Sequence, residues 1–123
     1  MSIYSDNIMD HYRNPRNRDC SKCKTNKSSH MHNQSCGDKV LMKIQVDGEN
    51  ITEICFDGHG CALSTASASI LTETLKGKNK DMILKFSVQE LIEILGIPVS
   101  PIRMKCASLP LEALKMAVIS DME

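Results

Sequence analysis

The sequence predicts an α+β domain in which a small antiparallel sheet is packed by several helices. Two observations carry this prediction: a pair of strand-like segments joined by a short turn, and a series of helical segments that follows the pair. The chain has 123 residues, which is enough for one domain and too few for two of ordinary size. We therefore expect residues 1–123 to form a single domain.

The N-terminal part predicts one helix followed by a long loop. Residues 2–13 form the predicted helix, which ends at Asn14 because a residue before proline is disfavoured in the α region. Residues 14–35 are polar and lack a clear period, which predicts a loop with a possible third strand near residues 30–34. We expect His11 to face solvent or its N-terminal neighbours from the helix.

An antiparallel hairpin forms the predicted sheet. In residues 39–46 the apolar side chains fall on alternate positions, which is typical of a half-buried strand. Residues 47–50 contain Asp-Gly and form the turn, and residues 51–57 form the second strand. Ile54 and Phe56 would share one face of that second strand.

Helices follow the hairpin. They are predicted over residues 62–76, 87–95 and 108–120. Ser87 and Glu90 form the sequence signature of a capping box at the start of the middle helix. Pro110 falls in the first turn of the last helix, where proline is tolerated because its missing N–H has no helical partner there.

Composition and charge argue against two classes of partner. Fifteen basic and fifteen acidic residues balance, so net charge gives no reason to expect nucleic acid or an anionic membrane. No apolar run approaches the roughly 18 residues of a membrane span. The N-terminus lacks the apolar core of a signal peptide. We therefore expect a cytoplasmic protein, in which six cysteines are more typical of metal binding or reactivity than of disulfides.

Three cysteines lie at the boundaries of predicted elements. Cys36 precedes the first strand of the hairpin, Cys61 precedes a helix, and Cys106 precedes the last helix. Side chains at such boundaries can converge at one end of a sheet while the elements themselves stay rigid. A helix N-terminus favours the thiolate, which binds metals and attacks sulfur, so Cys61 and Cys106 are expected to be thiolate-like. Asp38 would add a harder oxygen donor.

These four donors predict a metal centre. Three thiolates and one carboxylate would fill a tetrahedral zinc site, or hold an iron–sulfur cluster less tightly than four thiolates. Gly58 and Gly60 would let the backbone approach the site, and the small side chains after Cys61 would keep bulk away from its mouth. The other interpretation is that each cysteine is a buried small apolar residue. The wide spacings match no local metal motif, so spacing alone leaves both interpretations open.

The sequence resembles the IscU/SufU iron–sulfur cluster assembly scaffolds, a family also called NifU-like N-terminal domains. The resemblance is carried by HYRNPRN at 11–17, CGD at 36–38, VDGENITEICFDGHGCALSTASASILTETLKGK at 46–78 and RMKCASLPLEALK at 103–115. It places the family's ligand positions at Cys36, Asp38, Cys61 and Cys106, and it makes the three cysteines candidate persulfide acceptors.

The resemblance implies a scaffold rather than an enzyme. Such a scaffold takes persulfide sulfur from a PLP-dependent cysteine desulfurase, assembles a [2Fe–2S] cluster with iron, and passes it to apo iron–sulfur proteins. In the SufU branch the same residues hold zinc, and the protein resembles a sulfurtransferase partner of the desulfurase. Persulfide transfer is thiolate attack on sulfur, so activated cysteines suit either branch.

Departures from the family pattern place the chain between its branches. Lys105 stands where IscU-type proteins carry histidine, as in the SufU branch, and its charge would favour thiolate at Cys106 as a modulator. The insertion characteristic of the SufU branch, before the last cysteine, is missing. The Leu-Pro-Pro-Val-Lys motif that recruits a dedicated Hsp70 chaperone corresponds here to residues 97–101, Ile-Pro-Val-Ser-Pro, which puts that partner in doubt.

The C-x-x-C of Cys20 and Cys23 lies outside the family pattern. It is interpreted as an incidental loop pair, a redox pair or half of an accessory metal site. A zinc-ribbon-like binding module would need these two cysteines, Cys36 and one more, together with a basic surface. A zinc deaminase would need H-x-E paired with P-C-x-x-C, which the sequence lacks.

The remaining cysteine and histidines carry weaker expectations. Cys55 is expected to pack within a strand. His59 is expected to be a polar residue at the mouth of the site, with an alternate ligand role as the other possibility. His30 and His32 are weak metal candidates in the polar loop.

Overall fold

The computed structural model of the protein describes residues 6–18, 25–33, 37–96 and 99–121. Its elements are, in chain order, α1 (Asp6–Arg13), β1 (Lys27–Asn33), β2 (Asp38–Asp47), β3 (Asn50–His59), α2 (Ala62–Leu75), α3 (Lys80–Lys85), α4 (Val88–Leu95) and α5 (Pro101–Asp121). The three strands form one antiparallel sheet in the order β1-β2-β3. The predicted α+β class is therefore confirmed.

The sheet has one face buried against helices. Val40, Met42 and Ile44 of β2 are almost fully buried, while the residues between them are more exposed. On β3, Phe56 and Ile54 lie opposite Met42 and Ile44, so the apolar residues of the hairpin form a continuous surface. The third strand is present, and it begins before residue 30, because Lys27 already pairs with Ile44.

Helix α2 lies at the centre of the helical layer. It contacts α1 and α5, and most of its residues are buried. Because helices can approach closely only where side chains are small, the alanines and serines of α2 serve this packing. Most of these small side chains therefore also have a role in packing the core.

Helix α5 begins earlier than expected. The sequence predicts its start near residue 108, because proline is favoured in a first turn, but the helix starts at Pro101 and carries Pro110 in its interior. Burial overrides the local proline signal: Leu109, Leu111 and Leu114 are at most 4% exposed. Helix α3, which the sequence analysis did not predict, begins after an Asn79 cap whose side chain accepts from the Met82 N–H.

The N-terminal helix is anchored by a buried polar contact. His11 is only 7% exposed and does not face solvent, contrary to the expectation. Its Nδ1 lies 2.7 Å from Ser69 Oγ of α2, and that same hydroxyl oxygen accepts the Arg16 N–H at 2.9 Å. Residues 2–5 of the predicted helix lie outside the described residues.

The predicted capping box is confirmed: the Ser87 side chain accepts from the Glu90 N–H, and the Glu90 side chain accepts from the Ser87 N–H. Among the described residues, no helix is both long enough and apolar enough to cross a membrane.

Candidate metal centre

Two thiols and one carboxylate converge at one end of the sheet. The donor atoms of Asp38, Cys61 and Cys106 all lie within 4.8 Å of one another. Asp38 is the first residue of β2, Cys61 lies between β3 and α2, and Cys106 belongs to α5. The fourth predicted ligand, Cys36, lies outside the described residues. Three elements distant in sequence thus bring metal-binding side chains together.

The Asp38 carboxylate is held in place by backbone groups. Asp38 is 2% exposed, and its Oδ1 accepts the Cys61 N–H at 3.0 Å. It also lies against Gly60, where an added Cβ would come 2.7 Å from Oδ1. The expectation that Gly60 lets the backbone approach the site is confirmed, because any side chain there would displace the carboxylate.

Gly58 is required for a different reason. Its φ is +132°, and an added Cβ would lie 2.1 Å from the Lys39 carbonyl oxygen of the neighbouring strand. Glycine is therefore needed for the backbone pairing that brings Asp38 beside the turn into α2.

Cys61 caps the N-terminus of α2, as predicted. Its backbone is extended, with φ −68° and ψ 169°, and its Sγ accepts the Ser64 N–H at 3.4 Å. The same sulfur lies 3.9 Å from Asp38 Oδ2. Cys61 is exposed to solvent. The sulfur of Cys61 is therefore both accessible and directed at the other two donor side chains.

Cys106 has a different environment from the one predicted. It is only 9% exposed and lies inside α5, five residues after its first residue. The expectation that Cys106 lies at a helix N-terminus is therefore wrong. Lys105 precedes it on the same helix and is exposed. Because consecutive helical residues point about 100° apart, the two side chains lie on different sides of the helix.

The donor set fits a metal ion. Zinc–sulfur bonds of about 2.3 Å place the ligands of a tetrahedral ion roughly 3.8 Å apart. The mutual distances at Asp38, Cys61 and Cys106 stay within 4.8 Å, so a single ion fits with small movements. A two-iron cluster divides its ligands between two metal ions and therefore needs them farther apart.

Other predicted residues lie away from this centre. His59 pairs across the sheet with Lys39, and side chains of consecutive strand residues alternate, so His59 lies on the sheet face opposite Asp38. His30 and His32 lie on β1, not in a loop, and both are exposed. Cys55 is fully buried, which confirms its packing role. Cys20 and Cys23 lie outside the described residues.

Sequence reasoning missed two groups near the centre. The Ser64 N–H contacts the sulfur of Cys61, and the Ser67 hydroxyl donates to the Ala107 carbonyl oxygen at 2.6 Å. The first could be found from cap spacing, because an N-cap side chain accepts from the third residue after it. The second joins residues 40 positions apart and has no local signal.

Comparisons with known proteins agree with this geometry. The family model described as the NifU-like N-terminal domain matches residues 3–121. The chain is 31% identical to the zinc-dependent sulfurtransferase SufU of Bacillus subtilis, over 98% of this chain and 92% of that protein. It is 36% identical to the iron–sulfur cluster assembly scaffold protein IscU of Buchnera aphidicola from Acyrthosiphon pisum, over 96% and 93% of the two chains.

Solved structures give the same result. A crystal structure assigned to an iron–sulfur cluster assembly scaffold protein for the SUF system of Fervidobacterium islandicum superposes with a TM-score of 0.79 at 30% identity, covering 94% of this chain and 96% of that one. The N-terminal part of a nitrogen-fixing NifU-like protein of Brucella abortus shares the fold, with a TM-score of 0.73 at 16% identity over 98% and 96% of the chains. The chain belongs to the NifU-like N-terminal domain family.

Proposed function

We propose that this protein is a scaffold for iron–sulfur cluster assembly that accepts persulfide sulfur and holds metal or cluster at Cys36, Asp38, Cys61 and Cys106. The observation that carries the proposal is the convergence of Asp38, Cys61 and Cys106 within 4.8 Å. The names of the SufU and IscU relatives support it. The proposal treats residues 1–123 as one scaffold domain.

The partners follow from the chemistry. A PLP-dependent cysteine desulfurase would supply the sulfur, and apo iron–sulfur proteins would receive the cluster. The scaffold is not itself a turnover enzyme in this proposal, because each cluster leaves it as cargo. The chain would supply the thiolates and the carboxylate, iron would act as a Lewis acid that binds sulfide, and a thiol or electron-transfer reductant would supply the two electrons that convert each persulfide sulfur to sulfide.

The sulfur-transfer step uses an accessible thiolate. The thiolate attacks the outer sulfur of the desulfurase persulfide, a new S–S bond forms on the scaffold, and the S–S bond of the donor breaks to release the donor thiolate. No net oxidation or reduction occurs. Of the two site cysteines that the structure describes, Cys61 is the more exposed, and its Sγ accepts the Ser64 N–H at 3.4 Å. Cys61 is therefore the acceptor that this geometry favours, and Cys36 and Cys106 remain candidates.

Lys105 would act as a modulator. It is exposed and precedes Cys106 on α5, so its ammonium would attract anionic groups that approach the site from solvent, such as a persulfide. Replacing Lys105 with alanine should slow sulfur acceptance without loss of metal. A rate equal to that of the wild type would contradict this role.

A zinc-dependent sulfurtransferase function is the second candidate. One observation favours it: the donors lie close enough for a single tetrahedral ion without the widening that a two-iron cluster requires. Both candidates use the same residues. They differ in whether the sulfur stays on the scaffold as a cluster or passes on to another acceptor.

The test combines sulfur transfer with cluster reconstitution. The purified protein is incubated with a cysteine desulfurase and ³⁵S-cysteine, and the label on the scaffold is measured for the wild type, Cys61→Ser and the matched control Cys55→Ala. We expect strong labelling of the wild type and the control, and a large loss in Cys61→Ser. No label on the wild type would contradict sulfur acceptance.

Anaerobic addition of ferrous iron with a thiol reductant, which converts persulfide sulfur to sulfide, then separates the two candidates. Visible absorbance of a [2Fe–2S] cluster on the labelled protein supports the scaffold function. Labelled protein that keeps zinc and never develops that absorbance supports the sulfurtransferase function.

A further inference from the structure

A cationic patch lies on the sheet face opposite the core. The patch consists of Arg18, His30, His32, Lys39, Lys43 and His59. Strand register places His32, Lys39 and His59 in one row across the three strands. His30 lies in the next row and Lys43 in the row after that, on the same face, because side chains alternate along a strand. Cationic and imidazole side chains thus occupy neighbouring positions on all three strands.

The patch carries an excess of positive charge in a chain whose charges balance overall. The acidic residue beside it, Asp57, already faces Arg18, with 4.0 Å between Arg18 Nε and Asp57 Oδ1. Among the described residues, neither Lys39 nor Lys43 takes part in an ion pair. Lys39 is exposed. Its charge is therefore available to a ligand from outside.

A cavity opens within the patch. It has a volume of about 290 Å³ and is lined by His30, Lys39, Val40, Leu41, Asp57, Gly58 and His59. The lining combines apolar side chains with Lys39, two imidazoles and Asp57, whose carboxylate already faces the Arg18 guanidinium. This chemistry suits a carboxylate side chain with its methylene stem.

We propose that the cationic patch binds an acidic segment of a partner protein, with one carboxylate side chain seated in the cavity beside Lys39. A metal ion is disfavoured there, because Lys39 lies directly between His32 and His59. Lys39 follows Asp38 in sequence, and His59 lies two residues before Cys61, so a partner docked there would sit next to the metal centre on the other face of the sheet. The inference does not depend on the sulfur-transfer step.

The test is a nuclear magnetic resonance titration of the ¹⁵N-labelled protein with an octaglutamate peptide at low salt. We expect amide shifts concentrated at residues 39–41 and 57–59. Lys39→Glu should weaken the peptide at least about tenfold, because it replaces attraction by repulsion. The matched control Lys78→Glu changes an exposed lysine elsewhere and should leave affinity within about twofold.

Three results would overturn the proposal: peptide shifts that do not map to the patch, equal weakening by the two charge reversals, or tighter binding of an eight-nucleotide oligothymidylate at the same residues. The metal content of Lys39→Glu is measured in parallel. If the peptide does not bind the cationic patch but the protein still binds metal, the proposal of this docking surface fails and the proposed function stands.

A second inference concerns how Cys106 is positioned. Pro110, which has no backbone N–H, lies one turn after Cys106 in the interior of α5. In the same turn, the buried Ser67 hydroxyl of α2 donates to the Ala107 carbonyl oxygen at 2.6 Å. Ser67 is fully buried and lies on the helix that Cys61 caps.

We infer that Ser67 is a positioning residue. Its hydrogen bond holds the turn of α5 that contains Cys106 against α2 and so fixes Cys106 relative to Cys61. Given the proposed metal function, Ser67→Ala should lower zinc affinity about tenfold, the lower end of what lost supporting contacts cost at metal sites. In the metal-free protein it should also raise the alkylation rate of Cys106.

Ser69→Ala provides the matched control. Ser69 is also fully buried on α2, but its hydroxyl contacts His11 and Arg16 instead of α5. We expect Ser69→Ala to lower the unfolding temperature while leaving zinc affinity and Cys106 reactivity unchanged. Equal effects of the two substitutions on zinc affinity, or none from Ser67→Ala, would overturn the inference. If the wild type binds neither zinc nor a cluster, the proposed function fails, and the reactivity of Cys106 still tests the positioning role of Ser67.

Discussion

Cys61 and Cys106 contribute their sulfur atoms to the same site but lie in different environments. Cys61 is exposed, caps a helix and accepts a backbone N–H, whereas Cys106 is 9% exposed inside a helix. Water and an oriented N–H stabilise a thiolate, and burial opposes it. We infer from this difference that the two cysteines have different roles. Cys61 accepts incoming sulfur, and Cys106 binds the metal from the protein interior.

The largest expected effect is on zinc affinity, and it tests the contact between the Asp38 carboxylate and the Cys61 N–H. Gly60→Ala would place a Cβ 2.7 Å from Asp38 Oδ1 and push the carboxylate away from the Cys61 N–H. We expect zinc affinity to fall by about 10- to 100-fold. Competition with a chromogenic zinc chelator measures the change.

Gly48→Ala is the control for this prediction, since an added Cβ there meets nothing within 4 Å. It should leave zinc affinity unchanged even if the positive φ makes alanine less favourable. Unaltered zinc binding in Gly60→Ala would show that the Asp38 carboxylate does not contribute to the centre.

A smaller effect is expected in the thiol chemistry of the metal-free protein. Cys61 should react with iodoacetamide about tenfold faster than Cys106, because its sulfur is accessible to the reagent whereas that of Cys106 is buried. Mass spectrometry of the digested protein after timed alkylation gives both rates. If Cys106 reacts as fast as Cys61, the contrast between the two sulfurs is wrong.

The smallest effect concerns the anchoring of α1 to α2. Burial lowers the pKa of His11 below its ordinary value, and the nearby Arg16 charge acts in the same direction, while Glu73 and Asp10 oppose it. The unfolded chain therefore binds a proton more readily than the folded one. His11 contributes stability that is present above the ordinary pKa of 6.5 and is lost as the pH falls through the lowered folded value.

Urea unfolding at pH 7.5 and pH 5.5 measures this contribution. The wild type should lose more unfolding free energy on acidification than His11→Gln, whereas His59→Gln, which changes an exposed histidine, should behave like the wild type. Equal pH dependence in all three proteins would contradict a role for His11.

Local patterns explain the parts of the molecule that sequence predicts well. The alternation in β2, the capping box at Ser87 and the cap position of Cys61 all depend on residues within a few positions of one another. The sequence also predicts the convergence of Asp38 with Cys61, because both lie at the ends of strands in a small sheet, whereas Cys106 reaches them from inside a helix.

The features that sequence reasoning missed depend on distant partners. His11 is buried because Ser69, 58 residues away, receives it. Helix α5 continues through Pro110 because its flanking leucines are buried in the core, which outweighs the local cost of proline. The same early start of α5 places Cys106 inside the helix. Of the two site cysteines that the structure describes, Cys61 is therefore the one at a helix N-terminus.

The central claim is that Cys36, Asp38, Cys61 and Cys106 form one metal centre and that Cys20 and Cys23 do not take part. The most direct test measures zinc and iron per chain in the freshly purified wild type, in Cys61→Ser and in the double variant Cys20→Ser/Cys23→Ser. We predict one metal site in the wild type and the double variant, and none in Cys61→Ser. Metal lost from the double variant, or kept in Cys61→Ser, would contradict the account.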